Sequence, residues 1–251
     1  MLTVHCNWVD NPVWCKTADS SFNPRLYVDI WNISIPDFMH QISALKNILR
    51  EDELARGKRY HHERDRNRFL IARALLRIIL SKYLHTSSDS IQISIGKNKK
   101  PFIESSGPIA WHYNTTHSGE YILIGISGSP IGVDVEKIDM NFAYKDILLS
   151  NFSDKEISFV NGGPGEREHF YTLWTRKEAL VKGTGKGMDE DFQEIPCLDG
   201  NHQVLEKTIG AAEDWQVESF RLSDQYIAAV AHVRTVHSLR FWHADPFILH
   251  Q

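Results

Sequence analysis

Cysteine is scarce in this chain of 251 residues: Cys6, Cys15 and Cys197 make an odd set with no Cys-x-x-Cys pair. That argues against a disulfide framework and a structural zinc site, and for a reducing compartment. Long apolar runs are missing as well. The most apolar helical stretch, Phe69 to Leu84, is interrupted by Arg73, Arg77 and Lys82, so no membrane span is expected. The N-terminus lacks the basic-then-apolar order of a signal peptide, and a cytoplasmic location follows as the expectation. Neither Gly-x-Ser-x-Gly nor His-Glu-x-x-His occurs, which leaves serine-hydrolase and zinc-protease chemistry without an anchor. A strong excess of one charge is also absent. The formal net charge is −4, and bulk electrostatics therefore do not argue for a nucleic-acid partner.

Charge is concentrated locally instead. From Arg56 to Arg77 there are eight Lys/Arg against two acids, with His61 and His62 between them. Lys97, Lys99 and Lys100 form a second basic cluster. A locally basic, globally acidic chain suits a polyanionic small molecule, although a solvated amphipathic helix would read the same way.

The length allows one large or two small domains. Residues 1–40 read as short aromatic-rich strands broken by Asn-Pro and Ile-Pro, and residues 41–84 as helices. Ile91, Ile93 and Ile95 alternate with polar residues as a strand does, and Asn98 to Pro108 reads as a loop. Trp111 to Tyr113 and Tyr121 to Ser127 are further strands. Gly128-Ser-Pro130 is a turn and the best boundary, dividing the chain into halves 1–129 and 130–251. Helices are expected at 142–160 and 166–182 around a Gly162-Gly-Pro-Gly165 turn. Strands follow at Trp215 to Leu222, Tyr226 to Val233 and Ser238 to His243. The run from Glu120 to Ile126 is echoed by Asp224 to Ala231 in its polar start and Tyr-Ile sequence. Gly183-Thr-Gly-Lys-Gly187 resembles a phosphate loop but follows a helix instead of preceding one, so a helix stop with Gly183 as the cap is expected.

Two segments carry the chemistry. In Ile131-Gly-Val-Asp-Val-Glu-Lys-Ile138 the apolar residues alternate with Gly132, Asp134 and Glu136. On a strand both carboxylates project from one face, with Cα atoms roughly 6.5–7 Å apart. In Trp174-Thr-Arg-Lys-Glu-Ala-Leu-Val-Lys182, Glu178 and Lys182 share a helical face with Trp174, which Phe170 and Val181 extend into an apolar stripe. A face of that kind turns inward, and inward carboxylates need a partner. Three carboxylates could hold one divalent cation through oxygen ligands, as Mg²⁺ prefers, with Lys182 placed to meet a phosphate.

The same segments carry a resemblance. Gly132-Val-Asp-Val-Glu136 and Trp174-x-x-Lys-Glu-Ala-x-x-Lys182, followed by Gly185-Lys-Gly187, are similar to the two signature motifs of the 4′-phosphopantetheinyl transferases of the larger, surfactin-synthetase-activating type. Tyr113-Asn-Thr-Thr-His-Ser118, Lys100-Pro101-Phe102 and the basic run Arg59 to Arg77 resemble three more of its motifs, in family order. Lys99 stands where the family usually has Gly, and Thr116 where it usually has Ser. The resemblance implies an α/β (α+β) pseudo-dimer of two similar halves with the active site in the cleft between them. It implies transfer of the phosphopantetheine arm of coenzyme A to a serine of an apo carrier protein, whether an acyl, peptidyl or aryl carrier, with release of 3′,5′-ADP. The metal ligands would be Asp134, Glu136 and Glu178, holding Mg²⁺ with Mn²⁺ as a substitute. Lys182 would neutralise the pyrophosphate, and Glu178 or a metal-bound water would take the serine proton. Arg68, His117 and Ser118 would lie on the donor, with Lys100 and Pro101 bordering its adenine and Arg56, Lys58 and Arg59 as outer phosphate contacts. A monomer is expected. Two other readings use the same residues: a Mg²⁺-dependent nuclease or phosphoesterase, and a non-catalytic protein that binds coenzyme A or carrier proteins.

Overall fold

The computed structural model describes residues 1–16, 22, 27–96, 98, 100–104, 110–187, 190–235 and 238–250. Strands β1 (Leu2–Trp8), β2 (Trp14–Lys16) and β3 (Tyr27–Ser34) lead into the short helices α1 (Ile35–Phe38), α2 (Ile42–Lys46) and α3 (Glu51–Gly57) and the long helix α4 (Glu63–Leu84). Strands β4 (Gln92–Ile95), β5 (Pro101–Glu104), β6 (His112–Ser118), β7 (Tyr121–Ser127) and β8 (Ile131–Lys137) follow. Helices α5 (Lys145–Asn151), α6 (Asp154–Asn161) and α7 (Glu166–Thr184) come next, then β9 (Gly200–Val204), α8 (Glu206–Ile209), β10 (Trp215–Ser223), β11 (Tyr226–Val233) and β12 (Ser238–His243).

The expected mixed α/β chain with two similar halves is what forms. In the first half β3, β7 and β6 lie side by side, all antiparallel; in the second, β8, β11 and β10 repeat that order and sense. Tyr121 opens β7 and Tyr226 opens β11, and the two rings meet edge to face at 4.8 Å. The faint echo in the sequence is thus a pair of equivalent residues packed against each other. Each half covers one sheet face with its long helix. Ile71, Ala74, Leu75 and Ile79 of α4 pack on Trp31, Ile33, Ile122 and Ile124. Ala179, Leu180 and Val181 of α7 pack on Val217, Ala229 and Ala231. The opposite faces of the two sheets meet in one apolar layer, with Val28, Ile30 and Leu123 against Val133, Val135 and Val230.

Each long helix is also fixed by a buried ion pair. Glu53 accepts the Arg50 N–H at the start of α3 (3.0 Å) and binds Arg77 of α4 at 2.7 Å. Glu156 accepts the Ser153 N–H at the start of α6 (2.9 Å) and faces the buried ammonium of Lys177 of α7 at 3.2 Å.

Several elements differ from expectation. The division into 1–129 and 130–251 is crossed at both ends: β1 runs parallel beside β10 in the second sheet, and β12 runs parallel beside β3 in the first. Arg240 of β12 there holds the buried carboxylate of Asp29 with two hydrogen bonds, at 2.6 and 2.8 Å. The stretch read as a loop from Asn98 contains β5, because Ile103 pairs with Ile93 and buries there. The helix expected over 142–160 is two helices, since Ser153 caps a new one with Glu156 at its third position. Strand β9, short and polar, was not expected. Gly183 is not the cap of α7, which runs on to Thr184 and ends at Gly185 with φ 77°.

Candidate active site

Gly132 sets the geometry. A Cβ there would lie 2.0 Å from the Ala179 carbonyl oxygen and 2.2 Å from the Gly183 nitrogen, so only glycine lets α7 cross β8 this closely. Gly183 answers it on the helix, where a Cβ would strike Trp215. That contact brings Asp134, two residues along the same face of β8, against Lys182, whose Nζ lies 2.6 Å from Asp134 Oδ1 and 3.7 Å from Glu178 Oε2. Asp134 is 2% exposed, while Glu136, Glu178 and Lys182 are half-buried.

The three carboxyl groups disfavour their own charge. Burial pushes Asp134 and Glu178 above the usual carboxylate range, and burial with Asp134 nearby raises Glu136 to about 7. Burial alone would lower Lys182, but Asp134 and Glu178 more than offset it and hold the ammonium above its ordinary value. Among the described residues no three His, Cys, Asp or Glu side chains converge as a closed metal-ligating group; Lys182 carries the compensating charge. The donor set nonetheless fits a hard cation. It is oxygen only, it is under like-charge repulsion, and Asp134 Oδ2 is buried with no hydrogen-bond partner.

Strand β6 separates this cluster from a basic cavity of about 660 Å³. Arg56, Arg68 and Arg73 line that cavity with Pro101, Thr115 and His117. Arg68 is held by Asp65 at 2.8 Å, Arg73 binds Glu53, and the Arg56 guanidinium lies 5.3 Å from the centre of the Phe69 ring. Desolvation in the cavity wall and then the Arg68 charge lower His117 below its ordinary value, although the residue as a whole is exposed.

Of the expected site residues, Arg68, Pro101 and His117 meet in the basic cavity with Arg56, whereas Lys58 and Arg59 do not line it. Lys100 is turned away: its ammonium donates to the Gly183 carbonyl oxygen in an adjoining cavity of about 500 Å³, and burial lowers it to about 8. Ser118 donates to Glu136 Oε2 at 2.9 Å, on the carboxylate side. Lys97 and Lys99 lie outside the described residues. Thr115, two residues before His117, lines the cavity as the alternation of residues 113, 115 and 117 on a longer β6 requires, but sequence reasoning missed Arg73 there. It also missed a cavity of about 620 Å³ that borders Glu136 and Ser118 and is walled by Phe142, Phe170, Tyr171 and Trp174.

Residues 130–231 match a family model described as the 4′-phosphopantetheinyl transferase superfamily, and residues 31–128 match a second described as 4′-phosphopantetheinyl transferase, N-terminal. A Synechocystis protein named as a 4′-phosphopantetheinyl transferase is 34% identical over 203 residues, covering 76% of this chain and 81% of the relative. The 4′-phosphopantetheinyl transferase HetI of a Nostoc species is 28% identical over 224 residues, covering 86% and 92%. The 4′-phosphopantetheinyl transferase Sfp of Bacillus subtilis is 30% identical over 134 residues, covering 52% and 58%.

Proposed function

The chain belongs to the 4′-phosphopantetheinyl transferase superfamily, and on that premise we propose that it moves the phosphopantetheine arm of coenzyme A onto a serine of an apo carrier protein. The observation that carries the assignment of residues is the position of β6. One strand presents His117 and Thr115 to an arginine-lined cavity and Thr116 and Ser118 to a carboxylate cluster. A donor with a 3′-phosphate at one end and a pyrophosphate further along has a partner for each.

In this reading Arg68 and His117 hold the 3′-phosphate, with Arg56 at the rim and Pro101 bordering the adenine. Asp134, Glu136 and Glu178 would hold Mg²⁺, or Mn²⁺ in its place, whose chemistry when bound is to neutralise pyrophosphate oxygens. Lys182 adds a fixed positive charge beside them. The serine oxygen forms a bond to the β-phosphorus, and the bond from that phosphorus to the bridging oxygen breaks, releasing 3′,5′-ADP. Glu178, or a water that it positions, accepts the serine proton. Little covalent help is required of the protein; alignment and charge supply the rate.

The protein would work as a cytoplasmic monomer, with acyl, peptidyl or aryl carriers as acceptors and neither nucleic acid nor a membrane as partner. Among the described residues no helix is long and apolar enough to cross a membrane. The test is to incubate the chain with coenzyme A, Mg²⁺ and several apo carrier proteins and to weigh the carriers. A gain of one phosphopantetheine arm is expected. No gain on any carrier, with digestion of DNA instead, would overturn the reading in favour of a nuclease.

A further inference from the structure

Strands β6 and β8 lie against each other at the junction of the halves, yet their backbones do not pair: β6 pairs with β7, and β8 with β11. Side chains of β6 bridge the gap. Asn114 Oδ1 accepts the Val133 N–H at 3.0 Å, Thr116 Oγ1 donates to Asp134 Oδ1 at 3.0 Å, and Ser118 Oγ donates to Glu136 Oε2 at 2.9 Å. Ser118 also accepts the Lys137 N–H at 3.0 Å, which directs its own proton toward Glu136. All three are even-numbered residues on one face of the strand, as its period requires.

Asp134 shows what this does. Its Oδ1 takes two donors, the Thr116 hydroxyl and the Lys182 ammonium at 2.6 Å, while Oδ2 is buried with none. Two fixed donors on one oxygen lock the rotation of the carboxylate and leave the other oxygen free to ligate. We infer that Thr116 and Ser118 are positioning residues, by which the first half of the chain orients the carboxylates of the second for a divalent cation. Residues in that relation to a metal ligand typically change affinity by about 10–100-fold when removed. The effect is larger for Thr116, because Asp134 is fully enclosed and Glu136 is only half-buried. The inference rests on the reading of Asp134, Glu136 and Glu178 as metal ligands and goes beyond it by separating Thr116 and Ser118 from the donor.

The test is Mn²⁺ binding by electron paramagnetic resonance titration of the full chain, with the KM for coenzyme A measured at saturating metal. Thr116→Val keeps the shape and removes the donor, and it is expected to weaken Mn²⁺ binding about tenfold while leaving the KM for coenzyme A near wild type. Thr116→Ser should restore the affinity, and Ser118→Ala should show a smaller loss. Asp134→Ala is the control. If it binds Mn²⁺ as wild type does, the metal reading itself falls. If it loses Mn²⁺ while Thr116→Val and Ser118→Ala do not, the positioning role alone falls. A Thr116→Val variant that keeps its Mn²⁺ affinity but melts earlier or binds coenzyme A less tightly would also overturn it.

Discussion

The two halves share a backbone and differ in what they do with it. Ser34 pairs with Tyr121 in the first half as Lys137 pairs with Tyr226 in the second, so Trp31 and Ile33 occupy the positions that Asp134 and Glu136 hold. Each set looks toward its own long helix. In the first half that face is closed with apolar bulk; in the second, the close crossing at Gly132 leaves carboxylates opposite Glu178 and Lys182. The anchoring is alike, a buried cation on the long helix held by the capping glutamate of the short one before it. Duplicated architecture therefore places strands and helices in both halves, and a few substitutions on one strand decide which half carries the carboxylate cluster.

That comparison can be broken first at its two equivalent strand positions. If Asp134 ligates the cation as proposed, Asp134→Ala should abolish most turnover, and it should cost far less stability than a core truncation, because it removes a buried carboxylate held above its ordinary range. Trp31→Ala should do the reverse, costing about 3–5 kcal/mol of stability through the cavity it leaves. Urea unfolding alongside the carrier mass assay reads both; equal stability losses would erase the distinction.

The shared anchors come next. Glu53→Gln and Glu156→Gln should each destabilise by about 3–5 kcal/mol, because each strands a buried cation. Glu53 has a pH signature. Burial works against its charge, but Arg77, the Arg50 N–H and Arg73 prevail, and its folded pKa is lowered from 4.5. Its contribution to stability is therefore complete above about pH 4.5 and is lost as pH falls through the lower, folded value. Acid unfolding of Glu53→Gln should lack that part of the decline.

Smaller effects belong to the basic cavity. Arg68→Ala or His117→Ala should weaken coenzyme A by about tenfold, the worth of one hydrogen bond to a charged group, and should narrow the gap between coenzyme A and its 3′-dephospho form. Lys58→Ala and Arg59→Ala, outside the cavity, should change affinity by less than about 0.5 kcal/mol. Calorimetric titration with both donors separates the two groups, and a Lys58→Ala loss as large as that of Arg68→Ala would redraw the cavity.

What could be read ahead of the structure was local. Strand β8 was legible because Val133 and Val135 alternate with Asp134 and Glu136, and the inward face of α7 because Phe170, Trp174 and Glu178 recur at helical spacing. The split at Ser153 was written as Ser-x-x-Glu and could have been read. The exchange of β1 and β12 could not, since Arg240 meets Asp29 across more than two hundred residues and no local pattern announces such a partner. The same limit hid the roles of Thr116 and Ser118, which depend on which edge faces the even side of β6. It also hid the turn of Lys100 toward Gly183, fixed by a helix end far along the chain.

In the proposed reading one donor touches both halves, its 3′-phosphate on the first and its pyrophosphate on the second. The most direct measurement is calorimetric affinity for coenzyme A, with and without Mg²⁺, in wild type, Arg68→Ala and Asp134→Ala. Mg²⁺ should strengthen binding in wild type and in Arg68→Ala but not in Asp134→Ala. Loss of the 3′-phosphate should weaken binding in wild type and Asp134→Ala, and by less in Arg68→Ala, where His117 still meets that phosphate. A Mg²⁺ response that survives Asp134→Ala, or equal affinity of the wild-type chain for coenzyme A and its 3′-dephospho form, would contradict that reading.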